Sequence, residues 1–220
     1  MSTSVLEELA SRVRAMEGRT PDARAVLPVL PALKPLLPRG LQGGSCYVVG
    51  GSLGVATALL AEASAAGEWS AVVGVPEFGA EAAAAQGVDL ARTLLVPDPR
   101  DEWLTVVATL VDVLPIVLAR PPGRLAPKEI TRLEARVRDQ SCVFVVLQDG
   151  PVRWPRAAAA LEVGPSQWSG LAAGRGVLAE RRLPVRLTER SGRAREIVLH
   201  QRAGSFVCAA ESAPRLRAVG

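Results

Sequence analysis

The chain has 220 residues, of which 49% are hydrophobic and 4% aromatic, with 26 basic and 22 acidic side chains. This length suits one α/β domain with small additions and is short for two ordinary domains. No apolar run reaches the roughly 18 residues needed to span a bilayer. The N-terminus lacks the basic and then apolar order of a secretory signal. We therefore expect a cytoplasmic protein with an aliphatic core and no membrane contact.

The three cysteines, Cys46, Cys142 and Cys208, lie far apart, and two of them sit inside apolar runs. This spacing favours buried thiols in a reducing compartment over disulfides or a zinc site. There is one histidine, His200, so no histidine pair is available to hold a metal ion. We expect neither a metal nor a cofactor.

Basic residues concentrate at one end of the chain. Residues 151–220 carry 12 arginines and five glutamates, a net charge of +7, whereas residues 1–100 carry 8 basic and 10 acidic side chains. This asymmetry indicates a nucleic acid or an acidic protein surface as a partner. A GC-rich coding sequence would explain the use of arginine in place of lysine, but not the concentration of arginines at one end.

The first 44 residues divide into two segments. In residues 1–20, a capping box at Ser4-x-x-Glu7 precedes apolar residues at helical spacing, which predicts an amphipathic helix. Its apolar face packs either on its own domain or on a partner, and its members are Leu6, Leu9, Val13 and Met16. Residues 21–44 hold five prolines and end in glycines, so we predict an extended connector laid over the core and place a domain boundary there.

From residue 45 to residue 147, strand and helix patterns alternate five times, which predicts a mainly parallel central sheet with helices on both faces. The strands are predicted at 45–50, 71–75, 93–96, 114–119 and 141–147, and the helices at 54–67, 79–86, 102–113 and 127–139. In the last helix, Ile130, Leu133 and Val137 should face inward and Glu134 outward. Ligands of such sheets bind at the carboxyl ends of the strands, here Gly50–Gly54, Pro76–Gly79, Arg120–Lys128 and Gln148–Arg156.

Beyond residue 157 the apolar period becomes two, which predicts an antiparallel C-terminal extension of the sheet. Its strands are predicted at 157–163, 176–182, 184–189 and 196–200, with a turn at Ser191-Gly192. We take 45–200 as the core and 201–220 as a C-terminal tail with a short strand at 205–208.

The stretch Ser45–Leu60 has the build of a phosphate-binding loop, in which a strand, a glycine turn and a helix N-terminus cradle phosphates. The lysine and the hydroxyl residue that contact the phosphates and Mg²⁺ in such a loop are missing. With Gly54 as the last glycine of G-x-x-x-x-G-K-[ST], the lysine falls on Val55 and the hydroxyl on Ala56. The first glycine falls on Val49, or on Gly50 if the loop is one residue short. The degenerate loop is formed by Gly50, Gly51, Ser52, Gly54, Val55 and Ala56.

The order of these parts resembles the RecA-type recombinase core over roughly residues 36–200. A leucine-rich lead-in to Pro38-Arg39-Gly40 comes first, then the loop, Gly87-Val88-Asp89-Leu90, a strand like Walker B and a strand ending in Gln148. More narrowly, the chain is similar to the short, degenerate RecA relatives of the ImuA kind. These are accessory proteins of bacterial SOS mutagenesis that act with ImuB, an inactive Y-family polymerase homologue, and with an error-prone C-family polymerase.

When the functional residues of the family are matched one by one to this sequence, the resemblance implies that most residues of the nucleotide site have been lost. The catalytic glutamate of the family falls near Val75, with Glu77 as a displaced equivalent, and the Mg²⁺-side aspartate falls on Ala119 or Arg120. Only Gln148 matches the glutamine that relays nucleotide state to the DNA loops. Because phosphoryl transfer depends on positioning and charge neutralisation, we expect no ATPase activity.

Two short segments replace the DNA loops of recombinases. Pro121–Pro127 contains Arg124, and Asp149–Arg156 contains Arg153, Trp154 and Arg156, which could clamp a phosphate and stack a base. A surface turn with Trp154 packed on the sheet edge is the alternative. Candidate DNA or partner contacts also alternate along the C-terminal strands: Arg181, Arg182, Arg186, Arg190, Arg193 and Arg195.

The resemblance therefore implies a non-catalytic adaptor for translesion synthesis, associated with the nucleoid, that bridges the ImuB-like protein and the polymerase. RecA and single-stranded DNA are further candidate partners, and regulation of RecA filaments is the alternative function. A second alternative function is a serine hydrolase. Gly50-Gly51-Ser52-Leu53-Gly54 matches the motif G-x-S-x-G, and Asp149 and His200 follow it in the chain order of a catalytic triad.

Overall fold

The computed structural model describes residues 26–123, 125–149, 154–172 and 175–207. In chain order the strands and helices are β1 Val26–Leu27, β2 Leu41–Gln42, β3 Cys46–Gly50, α1 Leu53–Ala65, β4 Ser70–Val73, α2 Ala80–Ala85, β5 Thr93–Val96, α3 Trp103–Val111, β6 Ile116–Ala119, α4 Pro127–Asp139, β7 Val143–Gln148, β8 Ala159–Val163, β9 Gln167–Ala172, β10 Arg175–Glu189, β11 Ala194–Arg202 and β12 Ser205–Val207. Short 3₁₀ helices occur at Pro31–Leu33, Leu90–Arg92 and Arg100–Glu102.

One large sheet organises these elements, in the order β12-β11-β10-β8-β3-β7-β6-β4-β5. The six strands from β8 to β5 run parallel, and β10, β11 and β12 continue the sheet antiparallel, with β9 beside β10. The predicted α/β class, with a mainly parallel sheet and an antiparallel extension, is confirmed.

The parallel strands are continuous apolar runs because helices cover both of their faces. Every residue of β3, β4 and β6 is buried. On one face, α1 and α2 pack with strand residues such as Tyr47 and Val49; on the other face, α3 and α4 pack with Cys46 and Val48. Along α1, nine of the 13 residues are buried, so its many alanines allow the helix to lie close to the sheet.

The segment 26–44 packs on the α1 face of the sheet. Leu33, Leu36 and Leu41 are fully buried in the same apolar cluster as α1. The segment is not wholly extended, since β1 and β2 pair with each other and a 3₁₀ helix lies between them. Because these leucines are buried, the segment is part of the core that it covers. The domain boundary predicted within residues 21–44 stays a prediction.

Several sequence predictions were wrong in detail. Residues 176–189 form one strand and not two, and β9 was not predicted, because its run of Gln, Trp, Ser and Gly lacks a clear apolar alternation. Glu134, predicted to face outward from α4, is only 7% exposed. The predicted helix within residues 1–20 and the tail from residue 208 lie outside the described residues. Within the described ranges, no helix has the length and apolar character needed to cross a membrane.

We expect Leu36→Ala to lower the free energy of unfolding by about 2–5 kcal/mol, because it leaves a cavity beneath the connector. Lys34→Ala, at an exposed position two residues away, is the matched control and should change stability by about 0.5 kcal/mol or less. Urea denaturation followed by circular dichroism measures both. Equal stability of the two variants would show that the connector does not contribute to the folded core.

Candidate functional site

The turn after β3 is too short to wrap a phosphate. Val49 and Gly50 are both paired within the sheet, Val49 with Leu147 and Leu161, and Gly50 with Gln148 and Glu162. Only Gly51 and Ser52 remain before α1 begins at Leu53. Gly51 has φ +81°, a conformation that favours glycine. Because Gly50 ends the strand, both proposed positions for the first glycine of the loop lie inside β3.

Ser52 begins α1 as its N-cap. Its hydroxyl accepts a hydrogen bond from the Val55 N–H at 3.3 Å, and its carbonyl accepts one from the Ala56 N–H at 3.1 Å. Val55 and Ala56, at the lysine and hydroxyl positions of the loop, are both fully buried in the core. A lysine at Val55 would therefore bury its charge among aliphatic side chains, which is very costly without a partner.

Other side chains of the protein lie against the start of α1. A Cβ added at Gly54 would be 3.8 Å from the Ser52 hydroxyl, 3.9 Å from the Gln86 amide nitrogen and 4.0 Å from the Phe206 ring. Phe206 belongs to β12, so the antiparallel extension folds back over this end of the helix. Gln86 is 6% exposed, and within the described ranges its Oε1 has no hydrogen-bond donor. The region beside the degenerate loop is thus packed with protein atoms.

At the position of the Mg²⁺-side aspartate, the structure has a cation. Arg120 directly follows β6 and forms an ion pair with Glu77, which follows β4. Its Nε lies 3.5 Å from an oxygen of Asp149, which follows β7. A hydrogen bond from its own backbone, and then the Arg120 guanidinium, hold the pKa of Glu77 below its usual value. A carboxylate stabilised in this way is a poor general base, and an arginine at position 120 cannot act as a metal ligand.

A large cleft of the described residues lies at the carboxyl edge of the sheet, as predicted, but not at the glycine turn. It has a volume of about 1440 Å³ and is formed by the ends of β4, β5, β6 and β7. Seven prolines line it, and Trp103 and Trp154 form its aromatic walls. The residues Gly50–Gly54 take no part in it, whereas Gln148, at the end of β7, does.

Trp154 does not present its ring for stacking. It is 6% exposed and packs against Phe144, with ring centroids 5.9 Å apart and planes at 59°. Of the two interpretations of Trp154, packing on the sheet is the one that matches its position in the structure. Arg156, two residues later, is exposed. Arg124 and Arg153, the other predicted contacts in these segments, lie outside the described residues.

A buried acid lies beside Trp154. Within the described ranges, neither carboxylate oxygen of Glu134 accepts a hydrogen bond of normal geometry, and the nearby Trp154 indole N–H likewise has no well-aligned acceptor. Burial raises the pKa of Glu134, while the Arg156 guanidinium and the Trp154 indole N–H oppose the rise. Burial, and then the charge of Glu134, raise the pKa of the Cys46 thiol to about 12. This cysteine is therefore a protonated core residue and not a nucleophile.

The predicted arginine group is divided between two faces of the sheet. Arg182, Arg186 and Arg190 are exposed on the face that no helix covers, and Arg193 is exposed in the turn after β10. Arg181 and Arg195 lie on the opposite face. Arg195 pairs with Glu189 at 2.7 Å and donates to the Leu36 carbonyl at 2.9 Å. The structure therefore brings together only part of the basic surface that the sequence predicted.

The three residues proposed for a hydrolase triad each have another role. The Ser52 hydroxyl caps α1, and Asp149 lies beside Arg120. His200 Nδ1 lies 2.5 Å from Glu180 Oε1. This geometry gives the hydrolase alternative no support. Within the described ranges, no group of three or more His, Cys, Asp or Glu residues could hold a metal ion.

Three features were not predicted from the sequence: the Glu77–Arg120–Asp149 group, the burial of Glu134, and the exposure of Trp168 beside Arg181. The Glu77–Arg120–Asp149 group could have been predicted, because each of these residues follows a predicted strand and the carboxyl ends of parallel strands meet at one edge of the sheet. Burial of Glu134 had no sequence signal, because its position on α4 also suits the helix surface.

The sheet order and the turn after β3 define a RecA-like α/β protein whose phosphate-binding loop is replaced by a two-residue turn. The fold is similar to that of the RadB recombinase, whose crystal structure matches with a TM-score of 0.56 and 15% sequence identity over 77% of this chain and 92% of that chain.

The chain belongs to the family described as the MT3502 N-terminal domain, whose model matches residues 35–156. It is also 33% identical over 115 residues to the uncharacterized protein Rv3395c of Mycobacterium tuberculosis (strain ATCC 25618 / H37Rv). That match covers 52% of this chain and 56% of the relative, so the chain spans just over half of the relative's length.

We expect Ser52→Ala to cost about 1 kcal/mol of stability, because the Val55 N–H loses its acceptor at the start of α1. Ser52→Gly should cost only a few tenths of a kcal/mol, since glycine is a better N-cap than alanine. Thermal and urea unfolding of both variants measure the difference. An alanine variant as stable as the glycine variant would contradict the capping role.

Glu134→Gln should raise stability at pH 7.5, and its advantage should shrink as the pH falls towards 4.5. The reason is that the raised pKa of folded Glu134 makes its ionised form unfavourable, so the wild-type chain loses stability as the pH rises through that pKa. Urea unfolding at several pH values measures this, with exposed Glu102→Gln as control. A larger advantage at pH 4.5 than at pH 7.5 would reverse the assignment.

Proposed function

We propose that this protein is a non-catalytic RecA-like adaptor in DNA-damage-induced mutagenesis. It would bridge an ImuB-like inactive Y-family polymerase homologue and an error-prone C-family polymerase. The observation that carries the proposal is the two-residue turn after β3, with Val55 and Ala56 buried behind it. A RecA-like sheet that keeps its core and lacks the loop needed to hold a triphosphate is suited to binding other proteins and not to hydrolysing ATP.

The surroundings of the turn support the absence of ATPase activity. Phosphoryl transfer requires a lysine, a hydroxyl and an acid that together neutralise the triphosphate and its Mg²⁺. Arg120 stands at the acid position and pairs with Glu77, and Phe206 lies against the start of α1. Restoring a single residue would not rebuild this site, because the backbone of the turn is also too short.

The exposed arginines on the uncovered face of the antiparallel extension support a role in binding. Arg182 and Arg186 project from the same face of β10, and Arg190 follows the end of that strand on the same side. On this face, Glu162 of β8 and Glu196 of β11 lie opposite Arg186. Alternating charges of this kind favour a protein partner with its own charge pattern over a nucleic-acid backbone of uniform charge. The N-terminal segment with Leu6, Leu9, Val13 and Met16 is the second candidate contact.

The test is co-purification of the chain with the ImuB-like protein after nuclease treatment, in parallel with calorimetric titration of Mg–ATP. We expect the complex to form without DNA and no heat of binding up to about 1 mM nucleotide. The double variant Arg182→Glu/Arg186→Glu should weaken the complex at least tenfold. Arg100→Glu, at an exposed position near β5 at the opposite end of the strand order, is the matched control.

Tight Mg–ATP binding, or hydrolysis that is lost in Glu77→Gln, would refute the non-catalytic part of the proposal. Regulation of RecA filaments is the alternative, since both functions would use a RecA-like surface. A chain that disassembles RecA filaments and does not hold the ImuB-like protein would favour that alternative.

A further inference from the structure

We propose that β9, together with Trp168 and Arg181, is a docking site for an extended, acidic segment of a partner protein that adds to the sheet as a further strand. This inference concerns a surface that the adaptor role does not specify, and it stands or falls independently of that role.

Trp168 is the first observation. It is 52% exposed, whereas Trp103 and Trp154 are 2% and 6% exposed and Trp69 packs partly buried against the core. Tryptophan contributes strongly to binding when a partner covers it, because it buries a large rigid surface. Its ring is already held in place, since the Arg181 guanidinium lies 5.4 Å from the ring centroid.

Arg181 is the second observation. Its Nε is buried and has no hydrogen-bond acceptor within the described ranges. The neighbouring acid, Glu180, is held by His200 at 2.5 Å and by Arg202 at 3.2 Å. A planar guanidinium matches a carboxylate through two parallel hydrogen bonds. Because the buried Nε cannot be reached from outside, a partner carboxylate would pair with the terminal nitrogens of the guanidinium while the ring of Trp168 supports it from one side.

The free edge of β9 is the third observation. Within the described part of the chain, β9 pairs only with β10, and the pairing is regular from Gln167 to Ser169. The side chains of residues 167–170 are all exposed. Natural proteins protect such edges with charged residues, proline or a covering loop. The strand Gln-Trp-Ser-Gly-Leu-Ala contains no charged residue and no proline, so its edge is open to another strand.

These observations favour a peptide over a nucleic acid. A free strand edge offers N–H and C=O groups that match another backbone, and alternate side chains of the added strand then meet the two faces of the sheet. One set would contact Trp168, and because Arg181 is opposite Trp168 on the same face of the sheet, an acidic residue of this set would lie on the side of Arg181. The other set would lie about 10 Å from exposed Arg182, beyond the Debye length of about 8 Å at physiological salt, so Arg182 adds little attraction.

The experiment is selection of a displayed library of random twelve-residue peptides on the purified full chain. Enriched peptides should carry Asp or Glu two positions from an aliphatic or aromatic residue, so that both lie on the face of Trp168 and Arg181. Fluorescence anisotropy of labelled peptides should show binding weakened at least tenfold by Arg181→Gln and by Trp168→Ala. Arg193→Gln, which removes the same charge from an exposed turn, should bind within twofold of wild type. Thermal unfolding confirms that each variant is folded.

Hydrogen–deuterium exchange supplies a second readout, because bound peptide should protect the amides of residues 167–169. The proposal is overturned if no peptide is enriched, if enriched peptides bind Arg181→Gln as tightly as wild type, or if those amides stay unprotected. It is also overturned if binding of a labelled 20-nucleotide oligothymidylate depends on Arg181 and binding of the peptides does not. Failure of the DNA-independent complex to form in the co-purification test would leave these outcomes unchanged.

Discussion

The position of β3 between β7 and β8 is the constraint on which the rest of this structure depends. Pairing on both sides extends to Gly50, where β7 and β8 hold the strand through Gln148 and Glu162. Because α1 must begin at once to cover the sheet, only Gly51 and Ser52 connect the two elements. A phosphate loop needs several unpaired residues whose N–H groups converge on an anion. Here those residues are part of a strand, and the helix is closed by its own serine.

The same arrangement explains why valine and alanine at the lysine and hydroxyl positions of the loop are compatible with the fold. Val55 and Ala56 extend the apolar surface of α1 into the cluster that also holds Leu33 and Leu36. A lysine in this place would require an anion to offset its burial, whereas valine needs none. Arg120 likewise joins Glu77 to Asp149, which offsets charge at the ends of three neighbouring strands. These ion pairs help to stabilise this edge of the sheet.

The antiparallel extension supplies the surfaces on which binding is proposed. It places Phe206 against α1 and exposes the arginines of β10 on a face without helices. It also leaves β9 with a free edge. The two proposed surfaces differ in chemistry, since one is a ladder of alternating charges and the other is a backbone edge beside an aromatic anchor. The pairing of Glu180 with His200 and Arg202 lies between them and joins β10 to β11.

Four features follow from local apolar periodicity and residue identity, which need no tertiary contacts: the alternation of strands and helices, the parallel sheet, the antiparallel extension, and the missing lysine and hydroxyl at Val55 and Ala56. Three others depend on tertiary packing: the two-residue length of the turn, the burial of Trp154 and Glu134, and the exposure of Trp168 beside Arg181. Strand register and the depth of a side chain depend on partners distant in sequence, and a tryptophan reads the same in a sequence whether it is buried or exposed.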